Sequence, residues 1–213
     1  MSDGCFLGVG TGSTVNFFIE ALILAGKRLG GVVTTSKQSE ELLRKGGFNP
    51  KPLTEVKQPL DVYVDGADEV DLRFNLIKGG GGALTSEKIV ANNAKKFICI
   101  VDESKLVQKL GKFPLPVEVI SSAVPSISRI LKNDYNGIPR NREGFTEHGN
   151  RIIDVAGLEI ESPENLEGEL NQIPGVVTVG LFCKLKPYSC LVGYDEEVKE
   201  IFKKDVINMY YHT

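Results

Sequence analysis

The chain has 213 residues, of which 41% are hydrophobic and 25% are charged, and its formal net charge at pH 7 is -3. These values predict a globular protein of one large or two small domains and exclude nucleic-acid binding through bulk positive charge. The longest apolar run, FFIEALILAG, is interrupted by Glu20 and is too short to span a membrane. Because the N-terminus also lacks a signal-peptide pattern, we expect a cytosolic protein.

The first part of the chain alternates short apolar runs with helical patterns. Strands are predicted at FLGVG (6–10), GVVTTS (31–36), DVYVDGAD (61–68) and FICIVDESK (97–105). Helices are predicted at NFFIEALILAG, KQSEELLRKGG and TSEKIVANNAKKF. This order predicts a parallel sheet with right-handed crossovers, an α/β layer fold. Ligands of such folds bind beyond the carboxyl ends of the strands, where TGST, TTS, DGAD and KGGGG all lie.

From residue 115 the pattern changes to β-α-β-β-α-β, which is typical of a ferredoxin-like α+β domain. Its predicted elements are LPVEVI (115–120), PSISRILKND, a weak strand near IPRNRE, NRIIDVAG, PENLEGELNQI and GVVTVGLF. The segment LVGYDEEVKEIFKK (191–204) then predicts one more strand and an amphipathic helix. Val198, Ile201 and Phe202 would share one face of that helix, which we expect to return to the first sheet.

Cysteine and histidine are sparse. The chain contains four cysteines: Cys5, Cys99, Cys183 and Cys190. They form no CxxC pair and are too few for a disulfide scaffold, so we expect reduced thiols. The chain has only two histidines, His148 and His212, which disfavours a His-based triad or a multi-histidine metal site but leaves open that one acts alone. We expect both at the surface.

The glycine loop GVGTGST (8–14) looks like a dinucleotide fingerprint but departs from it. Ser13 stands where the third glycine belongs, and the second strand ends in TTS without the acidic residue that binds a ribose. The loop also lacks the G-K-[ST] ending of a P-loop. What remains is a set of hydroxyls at a helix N-terminus, which favours an anion such as a phosphate monoester. The alternative is a tight turn in which Ser13 or Thr14 caps the helix.

Two further motifs carry ionisable groups. In DGADEVD, Asp65 and Asp68 lie at the end of a strand. Ala67 and Val70 do not fit the pattern of a calcium-binding loop. Two interpretations remain open: a solvated acidic turn, or a magnesium ion that bridges to phosphate. In KGGGGALTSEK (78–88), Lys78 precedes four glycines and Glu87 follows near the start of a helix. Exposed backbone N–H groups, one cation and one carboxylate suit proton transfer beside a developing oxyanion, and the alternative is a flexible surface loop.

These motifs together resemble one enzyme family. GVGTGST, TTSKQSE, DVYVDGADEVD, IKGGGGALTSEKI, KKFICIVDESK, GKFPLPVEV and IPGVVTVGLF are similar, in order and spacing, to ribose-5-phosphate isomerase of type A. The resemblance implies a Rossmann-like α/β catalytic domain (1–114 plus 191–213) and a smaller ferredoxin-like domain (115–190). It also implies cofactor-free, metal-free interconversion of D-ribose 5-phosphate and D-ribulose 5-phosphate in the pentose phosphate pathway, by a homodimer or homotetramer.

Site residues carry over from the family's motifs position by position. The implied catalytic residues are Asp65, Asp68, Lys78 and Glu87. The implied substrate and phosphate contacts are Thr11, Gly12, Ser13, Thr14, Gly79, Gly80, Gly81, Gly82 and Lys105. The family usually has an extra N-terminal helix with a lysine near the phosphate, whereas only a few residues precede the first strand here, so phosphate affinity is the property that this departure affects.

Two other functions fit parts of the pattern. A sugar-phosphate-sensing module would keep the anion loop without needing acid–base residues, and it would normally be joined to a DNA-binding helix-turn-helix, which this sequence lacks. An amino-sugar deaminase would be expected to use a histidine, and neither histidine lies near the motifs. The sequence therefore favours the isomerase.

Overall fold

The computed structural model describes residues 3–202. Its helices are α1 (Ser13–Leu24), α2 (Lys37–Lys45), α3 (Leu84–Asn92), α4 (Val124–Asn133) and α5 (Pro163–Asn171). Its strands are β1 (Phe6–Val9), β2 (Gly31–Thr34), β3 (Val62–Asp65), β4 (Glu69–Asp71), β5 (Leu76–Ile77), β6 (Phe97–Asp102), β7 (Leu106–Val107), β8 (Leu115–Val119), β9 (Ile138–Asn141), β10 (Arg151–Ala156), β11 (Val176–Val179), β12 (Leu181–Phe182), β13 (Ser189–Gly193) and β14 (Val198–Phe202).

The chain divides into two compact units. Of the described residues, unit 1 contains 3–66, Ser86–Ser104 and 187–202, and unit 2 contains Ala67–Thr85 and Lys105–Lys186. The predicted domain boundaries ran differently, because the prediction placed 67–85 and 105–114 with the first sheet. Strands β4, β5 and β7 lie in these segments and pair with one another and with β12 in a separate small sheet of unit 2.

Unit 1 is the predicted α/β layer. Its sheet has the order β14-β13-β6-β3-β1-β2, in which β2, β1, β3, β6 and β13 are parallel and β14 is an antiparallel edge. The core side of α1 buries Val15, Ile19 and Leu22, which recur with helical spacing. The chain runs from β1 outward to β2 and then returns to the other side of β1 as β3. This reversal is a topological switch point, the usual ligand position in such sheets.

Unit 2 contains the predicted ferredoxin-like pattern. Strands β8, β9, β10 and β11 form an antiparallel sheet in the order β11-β8-β10-β9, with α4 and α5 as its connecting helices. Leu115, Val117 and Val119 of β8 are almost completely buried and contribute to the core of this unit with Ile127 and Leu131 of α4. The sequence analysis thus predicted the element order correctly.

Two predicted elements need correction. The helix expected within 191–204 is strand β14, which pairs with β13 through a hairpin closed by the Tyr194 N–H donating to the Glu197 carbonyl at 2.8 Å. Val198 is 68% exposed, so the helical spacing of the apolar residues did not mark a buried face; pairing with β13 decided the conformation. The last residues of the predicted helix, 203–204, lie outside the described range.

GVVTVGLF, predicted as one strand, forms two strands in different sheets. Gly180 separates β11 from β12: its N–H donates to the Pro116 carbonyl at 2.7 Å, and its carbonyl accepts from the Lys78 N–H at 2.8 Å. Because both polar groups of Gly180 bind different neighbours, the chain changes sheets at this residue.

The expected surface and thiol properties agree with the structure. All four cysteines are buried and none is joined in a disulfide, and His148 is exposed, whereas His212 lies outside the described residues. Within residues 3–202, none of the helices has the length and apolar character needed to cross a bilayer.

Candidate active site

In unit 1, the predicted residues meet at the switch point between β1 and β3. Asp65 is the last residue of β3 and is completely buried, which rules out a solvated acidic turn at this position. Its Oδ1 accepts the Thr11 N–H at 3.1 Å and the Gly66 N–H at 2.8 Å, and its Oδ2 accepts the Tyr63 hydroxyl. Asp65 therefore ties the glycine loop after β1 to the end of β3.

Gly10 makes this approach possible. A Cβ atom at this position would overlap the carboxyl group of Asp65, so any other residue would displace either the loop or the carboxylate. The Gly10 N–H donates to the Val64 carbonyl at 2.8 Å, and its carbonyl accepts the Ser39 hydroxyl at 2.6 Å. Gly10, which was noted in the sequence only as part of the glycine loop, thus provides room for Asp65.

The Thr11–Thr14 loop leads directly into α1. Gly12 is the N-cap residue of this helix, and no side chain caps it, so the alternative in which Ser13 or Thr14 caps the helix is wrong. The first turn of α1 also contains no acidic residue. The Ser36 hydroxyl donates to Thr11 Oγ1 at 3.0 Å and anchors the loop to the N-terminus of α2. The loop therefore retains the features that favour an anion at a helix N-terminus.

Tyr63 belongs to the same cluster, although the sequence analysis missed it. Burial raises the pKa of Tyr63 well above its ordinary value, and the charges of Asp65 and Glu87 raise it further. The hydroxyl therefore stays protonated and donates to Asp65. Tyr63 and Asp65 are two residues apart on β3 and so face the same side, a spacing that could have identified the tyrosine from sequence.

Glu87 lies in the first turn of α3 and is only 3% exposed. A carboxylate near a helix N-terminus is stabilised by the helix dipole and by free backbone N–H groups. Tyr63 and Val90 of α3 both lie against Gly8, and Glu87 is one turn before Val90 on the same face of the helix. Glu87 therefore lies near the Tyr63–Asp65 pair, and its charge raises the pKa of Tyr63. Unit 1 thus brings Asp65 and Glu87 together around one buried tyrosine.

In unit 2, Lys78 follows β5 directly and is 2% exposed. The ammonium nitrogen lies 5.6 Å from the centroid of the Phe182 ring on β12, within the range of a cation–π contact. The preceding β4–β5 hairpin is fixed by Asp71, which accepts the backbone N–H groups of Arg73 and Asn75 at 2.8 Å each. A buried lysine therefore follows a small sheet whose hairpin is fixed by hydrogen bonds to Asp71.

The glycine run beside Lys78 is ordered through specific contacts, contrary to the flexible-loop alternative. The Gly80 N–H donates to Asp68 Oδ2 at 2.8 Å, and a Cβ atom at Gly80 would lie 2.5 Å from Asp68 Oδ1. Gly79 and Gly82 have φ angles of 102° and 81°, which side chains disfavour. The run therefore needs glycine both for close approach to Asp68 and for its backbone conformation.

Arg142 also contacts this loop, and the sequence analysis did not identify it. Its Nη1 donates to the carbonyls of Gly79 and Gly80 at 2.9 and 3.0 Å, while its Nε donates to Asp154 at 2.8 Å. Arg142 directly follows the weakly predicted strand β9, far from the glycine run in sequence. No local pattern in the sequence indicates this contact.

Burial raises the pKa of Asp68 above its ordinary value. The Gly80 N–H and the positive charges of Lys78, Lys105 and Arg142 act in the opposite direction, in that order of size. Lys105, predicted from the DESK motif, therefore lies in the same electrostatic environment as Lys78 and Asp68. Unit 2 thus gathers three of the predicted residues around the glycine run.

The raised pKa of Asp68 has a testable consequence for stability. At a pH below the pKa that Asp68 has in the unfolded chain, its carboxyl group is neutral in both the folded and the unfolded state. As the pH rises from there through the higher pKa of the folded state, the free energy of unfolding falls. We therefore expect Asp68→Asn to raise the midpoint of thermal unfolding at pH 7 relative to the parent protein, and to do so less at pH 3. A stabilisation equal at both pH values, measured by circular dichroism, would contradict this origin.

Among the residues that the structure describes, no group of three or more His, Cys, Asp or Glu side chains is arranged to hold a metal ion. The charged groups described above, together with backbone N–H groups, are suited to binding an anionic substrate and to moving protons. Carboxylates, a buried ammonium group and free helix-terminal amides are the usual equipment for acid–base chemistry on a phosphorylated molecule.

Comparison with known proteins agrees with this chemistry. Residues 31–197 match the family model of ribose 5-phosphate isomerase A (phosphoriboisomerase A). The chain is 50% identical over 200 residues to ribose-5-phosphate isomerase A of Leptothrix cholodnii, which covers 93% of this chain and 90% of the relative.

Solved structures give the same result. A crystal structure of ribose 5-phosphate isomerase A from Neisseria gonorrhoeae has a TM-score of 0.92 and 48% identity, covering 95% of this chain and 91% of that one. A D-ribose-5-phosphate isomerase in complex with phospho-erythronic acid has a TM-score of 0.89 and 40% identity, covering 95% of this chain and 92% of that one. These similarities extend over both units.

Proposed function

This chain belongs to the ribose 5-phosphate isomerase A family, and we propose that it interconverts D-ribose 5-phosphate and D-ribulose 5-phosphate through a cis-enediolate, with Glu87 as the general base. The observation that carries the choice of base is the position of Glu87. It is a buried carboxylate in the first turn of α3, near the Tyr63–Asp65 pair. Such a confined carboxylate is suited to exchanging a proton with a bound carbon acid.

The reaction needs one proton to move between adjacent carbons. In the open-chain aldose, Glu87 removes the proton from C2, and the electron pair forms the C1–C2 double bond while the carbonyl oxygen becomes an enediolate oxygen. Return of the same proton to C1, with transfer of the hydroxyl proton from O2 to O1, gives the ketose. No oxidant, reductant or metal is required for this balance.

The negative charge of the enediolate requires stabilisation, which we assign to Lys78 and to N–H groups of the Gly79–Gly82 run. Lys78 is buried and held by the β5–β12 sheet, and Gly80 is fixed through Asp68. Donors that are oriented before the reaction stabilise developing charge without reorganisation at the moment of proton transfer. The contacts that hold Lys78 and Gly80 within unit 2 support this role.

The remaining residues are assigned to ring opening and phosphate binding. Asp65 would move a proton between the anomeric hydroxyl and the ring oxygen, and Asp68 would orient substrate hydroxyls. The Thr11–Thr14 loop at the uncapped N-terminus of α1 would bind the phosphate together with Lys105. Binding energy from the phosphate then positions the carbons that react.

The function is tested by mixing the purified protein with ribose 5-phosphate and following ketose formation, without added metal or cofactor. We expect rapid ketose formation that persists in the presence of a chelator. A protein that binds ribose 5-phosphate without forming ketose would be a sensor module. A protein that instead releases ammonia from an amino-sugar phosphate would be a deaminase.

We also propose that the protein works in the cytosol as a homodimer or homotetramer, as the sequence resemblance implies. Sedimentation equilibrium on the purified chain measures its assembly directly. A mass equal to one chain of 23.3 kDa at micromolar concentration would contradict the oligomer.

A further inference from the structure

Two carbonyl groups of the glycine run, those of Gly79 and Gly80, accept hydrogen bonds from one residue outside the run. Arg142 Nη1 donates to the Gly79 carbonyl at 2.9 Å and to the Gly80 carbonyl at 3.0 Å. These contacts lie within unit 2, and they join residues that are 63 and 62 positions apart in the chain. They fix two consecutive peptide groups from the same side.

The direction of a carbonyl determines the direction of the next N–H. In a trans peptide the carbonyl of one residue and the N–H of the following residue point in opposite directions, and the described residues contain no cis peptide bonds. Fixing the Gly79 carbonyl therefore turns the Gly80 N–H away from Arg142, where it donates to Asp68 at 2.8 Å. Fixing the Gly80 carbonyl likewise turns the Gly81 N–H away from Arg142.

The arginine is itself held in place. Nε donates to Asp154 Oδ2 at 2.8 Å, and Nη2 donates to Asp154 Oδ1, so the two side chains form a bidentate pair. About a quarter of each side chain is exposed. With Nε and Nη2 occupied by the carboxylate, the two hydrogens of Nη1 remain for the two carbonyls. A planar guanidinium can make all four bonds at once, whereas a lysine ammonium has only three hydrogens and no fork.

We propose that Arg142, held by Asp154, is a positioning residue: it directs the Gly80 N–H to Asp68 and the Gly81 N–H to the substrate side of the glycine run. This inference rests on the proposed isomerase function, because it assigns to the Gly81 N–H a part in stabilising the enediolate and to the Gly80 N–H the fixing of Asp68. Arg142 does not touch the substrate in this scheme; it acts through two peptide groups.

Arg142 could also act through its positive charge alone, without orienting any peptide group. The positive charge of Arg142 also lowers the pKa of Asp68, after burial, the Gly80 N–H and two lysines have made larger contributions. A lysine at position 142 would keep that charge but lose the fork. Comparison of Arg142→Lys with Arg142→Met therefore separates the orientation of peptide groups from electrostatics.

The first measurement needs no catalysis. In protein labelled with ¹⁵N-glycine, we expect both Arg142→Lys and Arg142→Met to shift the amide resonances of Gly80 and Gly81 and to reduce the protection of the Gly80 N–H against hydrogen exchange. Asp154→Asn should produce changes in the same direction because it releases the guanidinium. Unmoved Gly80 and Gly81 resonances in the two Arg142 variants would overturn the proposal, whatever the activity of the protein.

The second measurement compares catalysis with binding. We expect kcat to fall by about 10- to 100-fold in both Arg142 variants, the scale that small displacements of reacting groups produce, with KM for ribose 5-phosphate changed less than about threefold. Calorimetry with phospho-erythronic acid, whose carboxylate stands in for the enediolate oxygens, should show a weaker Kd at a stoichiometry near that of the parent protein.

A matched control is available on β9. The side chain of Arg140 is exposed and forms no hydrogen bond or ion pair with the part of the chain that is described, so Arg140→Met removes the same charge without removing a bond to the glycine run. It should retain parental kcat and Kd. Parental kcat in Arg142→Lys, or a lowered stoichiometry with unchanged Kd in both Arg142 variants, would overturn the positioning role. Absence of isomerisation in the parent protein would instead reject the proposed function.

Discussion

Replacing Glu87 with glutamine is expected to lower kcat for isomerisation by about 10²- to 10⁴-fold, the usual contribution of a positioned general base. The amide keeps the size of the side chain and its place in the first turn of α3, but it has no basic site to accept the C2 proton. Binding of ribose 5-phosphate should remain, because the proposed phosphate contacts of the Thr11–Thr14 loop are untouched. Ketose formation and calorimetric binding of the substrate measure the two effects separately.

The matched control for this variant is Glu41→Gln. Glu41 is exposed on α2, so the substitution removes one carboxylate from unit 1 without changing a buried group. Its kcat should equal that of the parent. A Glu87→Gln protein with near-parental turnover would exclude Glu87 as the base, and loss of substrate binding as well as turnover would indicate a damaged fold instead.

Replacing Lys78 with methionine is expected to lower kcat by about 10²- to 10³-fold, with a smaller effect on KM. That scale is typical of removing one oriented donor to a developing oxyanion. Methionine retains most of the unbranched side chain beside Phe182, so the packing of the β5–β12 sheet should change little. Initial rates over a range of ribose 5-phosphate concentrations separate kcat from KM.

The control variant for Lys78→Met is Lys132→Met. Lys132 is an exposed residue in the last turn of α4, so this substitution removes the same charge without changing a buried group. Thermal unfolding of both variants shows whether unit 2 stays folded. If Lys78→Met raised KM and left kcat unchanged, Lys78 would contribute uniform binding to substrate and transition state, and its assignment to the enediolate would be wrong.

The elements formed by local pattern were predictable. The alternation of strands and helices in the first half and the β-α-β-β-α-β order of the second both appear in the structure, because hydrophobic periodicity reflects which face each element buries. The helix predicted within 191–204 failed for the opposite reason. Its spacing fitted a helix, but the exposed edge of β13 offered strand pairing, which local propensity does not include.

The residues of the candidate site also include some that the sequence predicts and some that it does not. Asp65, Asp68, Lys78 and Glu87 stand beside glycines and strand ends, so the motifs alone identified them as candidates. The sequence analysis did not identify Tyr63, because a tyrosine within a strand is usually a core residue. The hydrogen bond from its hydroxyl to Asp65 depends on how β3 ends. Its position two residues before Asp65 was the available signal.

The sequence by itself determined the element order, the glycine loops and the candidate acid–base residues, because each depends on neighbours a few positions away. Only the tertiary structure decided which backbone groups these residues meet. Arg142 shows the difference: its contact with Gly79 and Gly80 joins chain segments more than 60 residues apart. A hydrogen bond over that separation depends on the packing of two sheets within unit 2, and no short stretch of sequence encodes it.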